Sequence, residues 1–370
     1  MNQRDYSYYE AHGADVKLDE ITSDEYNKQI LHRLRDQDLK SIYVCERIDG
    51  FDIMEGDDLG WLAYFIGRSE SLRELTIDGL YKDEDEGREH RMVHALSGAI
   101  ARSRSIQQVS VDILSNDGFA TIARSLVNLT QLERFYYRSI NSNDRINDCV
   151  MIGSLLESGI NLKKLSLPFC NIGYAGVAAL ANGLTSIGSS LKVLDLSHND
   201  IDSEALSTLV AALAHCTCLE ILDISGNDFS MAAAELRSLS DWLQIAALTL
   251  DDFGLRWCSV SDEGMQALIE GAMDNYKGIN LQYNHNITAS GWRCLSTSLQ
   301  SERCHLEKLV LSYMDIEDDG AKVLARGLVG NKVLKCVHLC FDDEDHISIT
   351  PAGWSAFSKV LCDTSTINNT

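Results

Sequence analysis

The chain has 370 residues, 45% of them hydrophobic and 24% charged, with a formal net charge of −23. That apolar share is enough to offset chain entropy, so a wholly disordered chain is excluded, and the excess of acid excludes phosphate-neutralising nucleic-acid binding and adsorption to an anionic membrane. The start has no apolar signal-peptide core, no stretch of 18 apolar residues occurs, and the 11 cysteines are scattered singly, which predicts a cytoplasmic protein with reduced thiols.

Residues 1–38 are predicted to form an N-terminal segment, loosely ordered before about Lys17. Ser23 stands as a cap ahead of acidic residues, and Tyr26, Ile30, Leu31 and Leu34 form one apolar stripe, so a capping helix is expected over Ser23–Arg35. From Leu39 a frame of the form L-x-x-L-x-L begins and returns. It reads LKSIYV at Leu39, LRELTI at Leu72, IQQVSV at Ile106 and LERFYY at Leu132. It continues as LKKLSLPFCNI at Leu162, LKVLDLSHNDI at Leu191, LEILDISGNDF at Leu219 and IAALTL at Ile245. YKGINLQYN at Tyr276, LEKLVL at Leu306 and LKCVHL at Leu334 complete eleven units, spaced 26 to 34 residues apart.

Each unit reads as a short strand with one buried face, followed by a segment of helical spacing, as in Leu206, Leu209, Val210 and Leu213. Between them an Asn (Asn171, Asn199, Asn227, Asn284) can bond the turning backbone, and Cys170 and Met314 stand where two units lack it. A Gly often opens the helical segment, as at Gly118, Gly291 and Gly353, which is expected to let helix and strand approach closely. One strand and one helix cannot bury their apolar faces alone, so the units must stack. The array closes on a last helix carrying Trp354, Phe357, Val360 and Leu361.

These units resemble leucine-rich repeats of the ribonuclease-inhibitor type. The resemblance implies an α/β fold: a curved solenoid, or horseshoe, of about eleven repeats, with parallel strands on the concave face and helices on the convex face. The predicted organisation is a segment 1–38 with its capping helix, a repeat domain 39–361 and a polar tail 362–370. The segment ILHRLRDQDLKSIYV is similar to the entry of the repeat domain in tropomodulin-like proteins. Ran-type GTPase-activating proteins and immune receptors of the nucleotide-binding type contain similar arrays.

The strand positions between the leucines face inward in such a repeat. There, Arg134, Tyr136, Arg138 and Lys164 are predicted to form a basic, aromatic patch, and Asp195, Asp223 and Asp251, with Asp252, an acidic strip. Tyr43 lies on the first strand, and Phe169, Tyr283, Tyr313 and Phe341 are candidate flanking anchors. The alternative is that the aspartates belong to the repeat pattern and that the patches satisfy one another. Cys336, His338 and Cys340 share a strand face and are read as small residues filling repeat positions, and Glu86, His90 and His94 share a helical face read as a solvated helix start, in both cases rather than metal ligands. The clusters 83–86 and 342–346 lack calcium-loop spacing and read as acidic loops. No phosphate-binding, nucleophile-elbow or dinucleotide motif occurs, so no cofactor and no enzymatic activity are expected. The expectation is a monomeric, non-enzymatic scaffold that binds a protein or peptide on its concave face, with small-GTPase regulation of the activating type as the alternative reading.

Overall fold

The computed structural model describes residues 6–45, 51–52, 58–79, 86–139, 146–246, 250–340 and 349–362. Two compact units divide the chain, residues 1–170 with 182–191 and residues 171–181 with 192–370.

The first unit opens with α1 (Tyr6–His12) and α2 (Glu25–Arg35). Five strands then alternate with helices: β1 (Ser41–Cys45), α3 (Asp58–Arg68), β3 (Glu74–Asp78), α4 (Glu86–Arg102), β4 (Gln108–Asp112), α5 (Asn116–Leu126), β5 (Arg134–Arg138), α6 (Ile146–Glu157) and β6 (Lys164–Ser166). A two-residue β2 (Phe51–Asp52), which the repeat pattern does not announce, pairs outside β1. Within this unit the strands run parallel in the order β6-β5-β4-β3-β1-β2. Burial alternates along them as the pleat requires. Leu75, Ile77, Val109 and Val111 are 0% exposed, while Thr76 and Ser110 between them are half-buried.

Helix α7 (Gly173–Ile187) falls partly in each unit. The second unit repeats the scheme with β7 (Val193–Asp195), α8 (Ser203–Leu213), β8 (Ile221–Asp223), α9 (Ala233–Ile245), β9 (Asp252–Gly254) and α10 (Asp262–Ala272). It continues through β10 (Gly278–Asn280), α11 (Ala289–Leu299), β11 (Lys308–Val310), α12 (Glu317–Leu328), β12 (Cys336–His338) and α13 (Pro351–Cys362). Its strands are parallel in the order β12-β11-β10-β9-β8-β7, and successive helices pack side by side. This is the expected α/β solenoid of leucine-rich repeats, one strand and one helix per unit. Among the described residues no helix is long and apolar enough to cross a membrane.

Three local expectations are corrected. The strand placed at Ile245 is the end of α9, where Ile245 is 86% exposed; the repeat restarts at Leu250, with Leu250, Phe253 and Leu255 each 0% exposed. Both IAALTL and LDDFGL fit the apolar frame, and the second wins because its Phe253 pairs in register with Leu222 while Cys258 fills the Asn slot. Second, the cap of α2 is Asp24, which accepts from Asn27 N at 2.7 Å, and its buried stripe is Asn27, Ile30, Leu31 and Leu34 with Tyr26 47% exposed. Third, the segment before Lys17 is ordered from Tyr6. Tyr9 is 3% exposed with its ring edge-on to Trp61 at 5.0 Å, and Arg102 lies 3.7 Å from the Tyr6 ring. Tyr6 and Tyr9 sit three residues apart on one helix face, which lets α1 clasp α3. The last helix lies where it was expected, at Pro351–Cys362, with Phe357 buried and Trp354 38% exposed.

The glycines at the helix starts serve a different contact from the one expected. A Cβ at Gly118, Gly291 or Gly353 would lie 2.3–2.6 Å from a carboxylate of the preceding repeat: Glu89, Asp262 and Asp318 respectively. Asp318 accepts from Thr350 N at 2.8 Å, Thr350 Oγ1 at 2.6 Å and Gly353 N at 3.1 Å, and Asp262 holds Thr288 and Gly291 in the same way. Each acid therefore caps the next helix. The Thr350 hydroxyl, then the backbone N–H groups, hold the Asp318 carboxyl below its ordinary value. A depressed folded value contributes stability that is present above the unfolded carboxylate value, about 3.9, and is lost as pH falls through the folded one. The melting-temperature gap between wild type and Asp318→Asn should accordingly narrow from pH 7 to pH 3; a gap that does not change with pH would refute this role.

Candidate functional site

In the first unit the inward positions form cross-strand pairs. Arg138 Nε donates to both carboxylate oxygens of Asp112 at 2.9 and 3.1 Å, and Arg134 lies 3.8 Å from Glu74. Tyr43 donates its hydroxyl to Asp78. Hydrogen bonding to Asp112 raises the Arg138 guanidinium further, and burial and then Asp78 raise the Tyr43 phenol. Tyr136 is half-buried between Ser110 and Ser166, and Lys164 is exposed. The predicted patch is thus a face whose arginines already hold carboxylates. The exposed Arg134–Glu74 pair contributes little, whereas Arg138 and Asp112 are part-buried and doubly bonded.

In the second unit the predicted aspartates are tied to their own turns. Asp195 Oδ1 accepts from Ser197 N at 3.0 Å and Ser197 Oγ at 2.7 Å, and Asp223 Oδ1 accepts from Ser225 N at 3.0 Å. Asp251 precedes β9, where it binds Lys277 at 2.7 Å; the inward positions of this repeat are Asp252, Gly254 and Arg256. Asp252 is joined by Lys308 at 3.2 Å. Thr249, Phe341 and the acidic loops 83–85 and 342–346 lie outside the described residues.

The turn after each strand is fixed from within. Asn227 and Asn284 are at most 2% exposed. Asn227 Oδ1 accepts from Asn199 N and Ile201 N, each at 3.0 Å, while its Nδ2 donates to Leu196 O at 3.1 Å and Ile224 O at 2.8 Å. Asn284 does the same for Cys258 N and Val260 N, at 3.1 and 2.9 Å, and for Leu255 O and Leu281 O. Asn171 is exposed, and Cys170 fills its unit's slot, donating to Tyr137 O at 3.4 Å.

In the second unit the residue ahead of each slot lies in the left-handed region. His198, Gly226, Trp257, Tyr283 and Tyr313 have φ of 55°, 70°, 55°, 59° and 59°. That conformation suits Gly and Asn and costs a bulky residue about 1–2 kcal/mol. Yet only one of these five positions is Gly; the others carry rings. The Tyr283 and Tyr313 rings stack at 4.6 Å and 13°, Trp257 meets Tyr283 at 4.9 Å and 71°, and His198 stands edge-on to Trp257 at 6.1 Å. Gly226 leaves room for that last contact, since a Cβ there would lie 2.2 Å from His198 Nδ1. Arg256 sits 4.9 Å from the Trp257 ring and 5.0 Å from the Tyr283 ring. Trp257 remains 48% exposed. The result is an aromatic ridge along the carboxyl ends of the strands. Tyr283 and Tyr313 were legible as anchors, but His198, Arg256 and Trp257 were not. Placing LDDFGLRWC as the repeat would have found Trp257 one residue before the slot.

Among the described residues no group of three His, Cys, Asp or Glu side chains is placed to hold a metal ion. Cys336 and His338 are in contact at 3.1 Å. The side chain of Glu86 lies outside the described residues, and the His90 and His94 rings are 6.4 Å apart.

A leucine-rich-repeat family model matches residues 160–181, 189–210, 215–234 and 303–325. The mouse NACHT, LRR and PYD domains-containing protein 4C is 28% identical over 201 residues, which are 54% of this chain and 20% of that protein. Pig ribonuclease inhibitor is 27% identical over 225 residues, 59% of this chain and 49% of the inhibitor. The chain thus spans about a fifth of the first relative and half of the second. Among solved structures, the leucine-rich repeat-containing protein LegL7 of Legionella pneumophila covers 82% of this chain and 96% of its own at 16% identity and a TM-score of 0.49. The chain is a leucine-rich-repeat protein, a fold that generally serves as a protein-interaction scaffold. Its repeats are of the ribonuclease-inhibitor-like type.

Proposed function

We propose that the chain is a non-enzymatic scaffold that docks a protein or peptide partner on the inward side of its second unit, with the aromatic ridge as the anchor line. The observation that carries this reading is the choice of His198, Trp257, Tyr283 and Tyr313 at positions where the backbone favours Gly. Strain of this kind persists where the surroundings over-determine it, and it concentrates at binding sites. The side chains so displayed are of the types that dominate interface energetics: large rings, one beside an Arg, with Trp257 half in solvent. Asp195 and Asp223 extend the same face with negative charge. In the first unit the arginines already hold carboxylates and have less to offer a partner. One relative is by name an inhibitor of a ribonuclease; that activity is not carried over to a chain covering 49% of it. Small-GTPase regulation has no residue of this chain in its favour. The net charge of −23 keeps copies apart and supports a monomer.

Site-specific photocrosslinking in source cells tests the reading. A photoreactive residue at Trp257 or Tyr313 should trap a discrete protein adduct, whereas one at Ser186 or Thr208 on helices α7 and α8 should not. Equal trapping from both sets, or trapping only from the helices, would move the docking face to the outside.

A further inference from the structure

We propose that Cys336 is a reactive thiol that exchanges with small-molecule disulfides of the glutathione class, with His338 as its proton acceptor. Six of the described cysteines (Cys45, Cys149, Cys170, Cys216, Cys258 and Cys304) are buried in the core. Burial pushes the Cys258 thiol up to about 12, which makes it inert. Cys336 differs in three respects. It is exposed; its Sγ lies 3.1 Å from His338 Nε2; and the β11–β12 register places Lys308 directly beside it on the same inward face. Residues two apart on a strand share a face, so the thiol–imidazole contact is set by the backbone and does not depend on a loop. The pair stands on the outermost strand of the second unit's described order, where a small molecule can reach it.

The step balances without a further oxidant. His338 Nε2 takes the thiol proton, and the Cys336 thiolate attacks one sulfur of the disulfide. The S–S bond breaks as the protein–sulfur bond forms, and the departing thiolate takes the proton back from the imidazolium. Among the described residues the Cys336 thiol is in contact with His338 and not with a second cysteine, so the mixed disulfide should persist on the inward face until an external thiol removes it.

The test uses the full chain with oxidised glutathione at pH 7, following each cysteine by peptide mass mapping over time. Cys218, which is exposed and has no imidazole in contact among the described residues, is the internal reference. Cys336 should form the mixed disulfide about tenfold faster than Cys218, and His338→Gln should bring it to within about twofold of that reference. Unchanged far-UV dichroism of the variant separates loss of the proton acceptor from loss of fold. Reaction of Cys336 at the Cys218 rate, or a fast reaction that survives His338→Gln, would overturn the assignment.

Discussion

Asn227→Ala should lower the unfolding free energy by about 3–5 kcal/mol, although it removes only a short polar side chain. Asn227 is 2% exposed and bonds four backbone groups at 2.8–3.1 Å in two successive turns. Alanine leaves the N–H groups of Asn199 and Ile201 and the carbonyls of Leu196 and Ile224 buried without those partners. A buried donor or acceptor left unsatisfied costs about 1–3 kcal/mol, and a single buried water, which makes about three hydrogen bonds, does not replace all four contacts. Denaturant unfolding of the variant measures it. A change below about 1 kcal/mol would mean that the turns are held by the strands alone and not by the Asn side chains.

The second large effect is on binding. Replacing Trp257 and Tyr283 together with Ala should weaken the partner's affinity by at least a hundredfold while leaving the melting temperature within a few degrees. Each side chain is of a type that contributes about 2 kcal/mol or more at the centre of an interface. Neither is in the core, where Leu255, Cys258 and Leu281 carry the burial, and Ala is no worse than Trp or Tyr at φ of 55–59°. The two rings also hold Arg256 between them, so the double variant frees that guanidinium as well. A titration of the purified partner against both proteins reads the ratio; equal affinities would remove the ridge from the docking face.

Much of the architecture was legible because a repeat reports the same physics many times. L-x-L alternation fixes a strand, and the helical spacing after it recurs often enough to survive single substitutions. It failed where two frames overlap, at 245–255, because Ile245, Leu248 and Leu250 imitate the pattern that Leu250, Phe253 and Leu255 actually fill. Strand pairing decided the register, and pairing is not local. The ridge was half legible for the same reason: Tyr283 and Tyr313 belong to units read in register, and Trp257 does not. The left-handed turns of His198 and Trp257 carry hydrogen bonds made by the next repeat, as Asn227 makes them for residues 199 and 201 and Asn284 for residues 258 and 260. Apolar spacing within one repeat carries no trace of them. In the basic patch the spacing marks Arg134 and Arg138 as residues between the apolar positions, and strand register, which is not local, brings carboxylates to meet them.

The claim that the docking face lies on the ridge of the second unit, and not on the paired charges of the first, is tested most directly by capture with three baits. These are the wild type, a ridge variant (Trp257→Ala with Tyr283→Ala and Tyr313→Ala) and a charge variant (Arg134→Glu with Arg138→Glu), each compared by quantitative mass spectrometry from the same lysate. A protein held by the wild type and the charge variant and lost from the ridge variant is the expected result. A protein lost from the charge variant and retained by the ridge variant would contradict it.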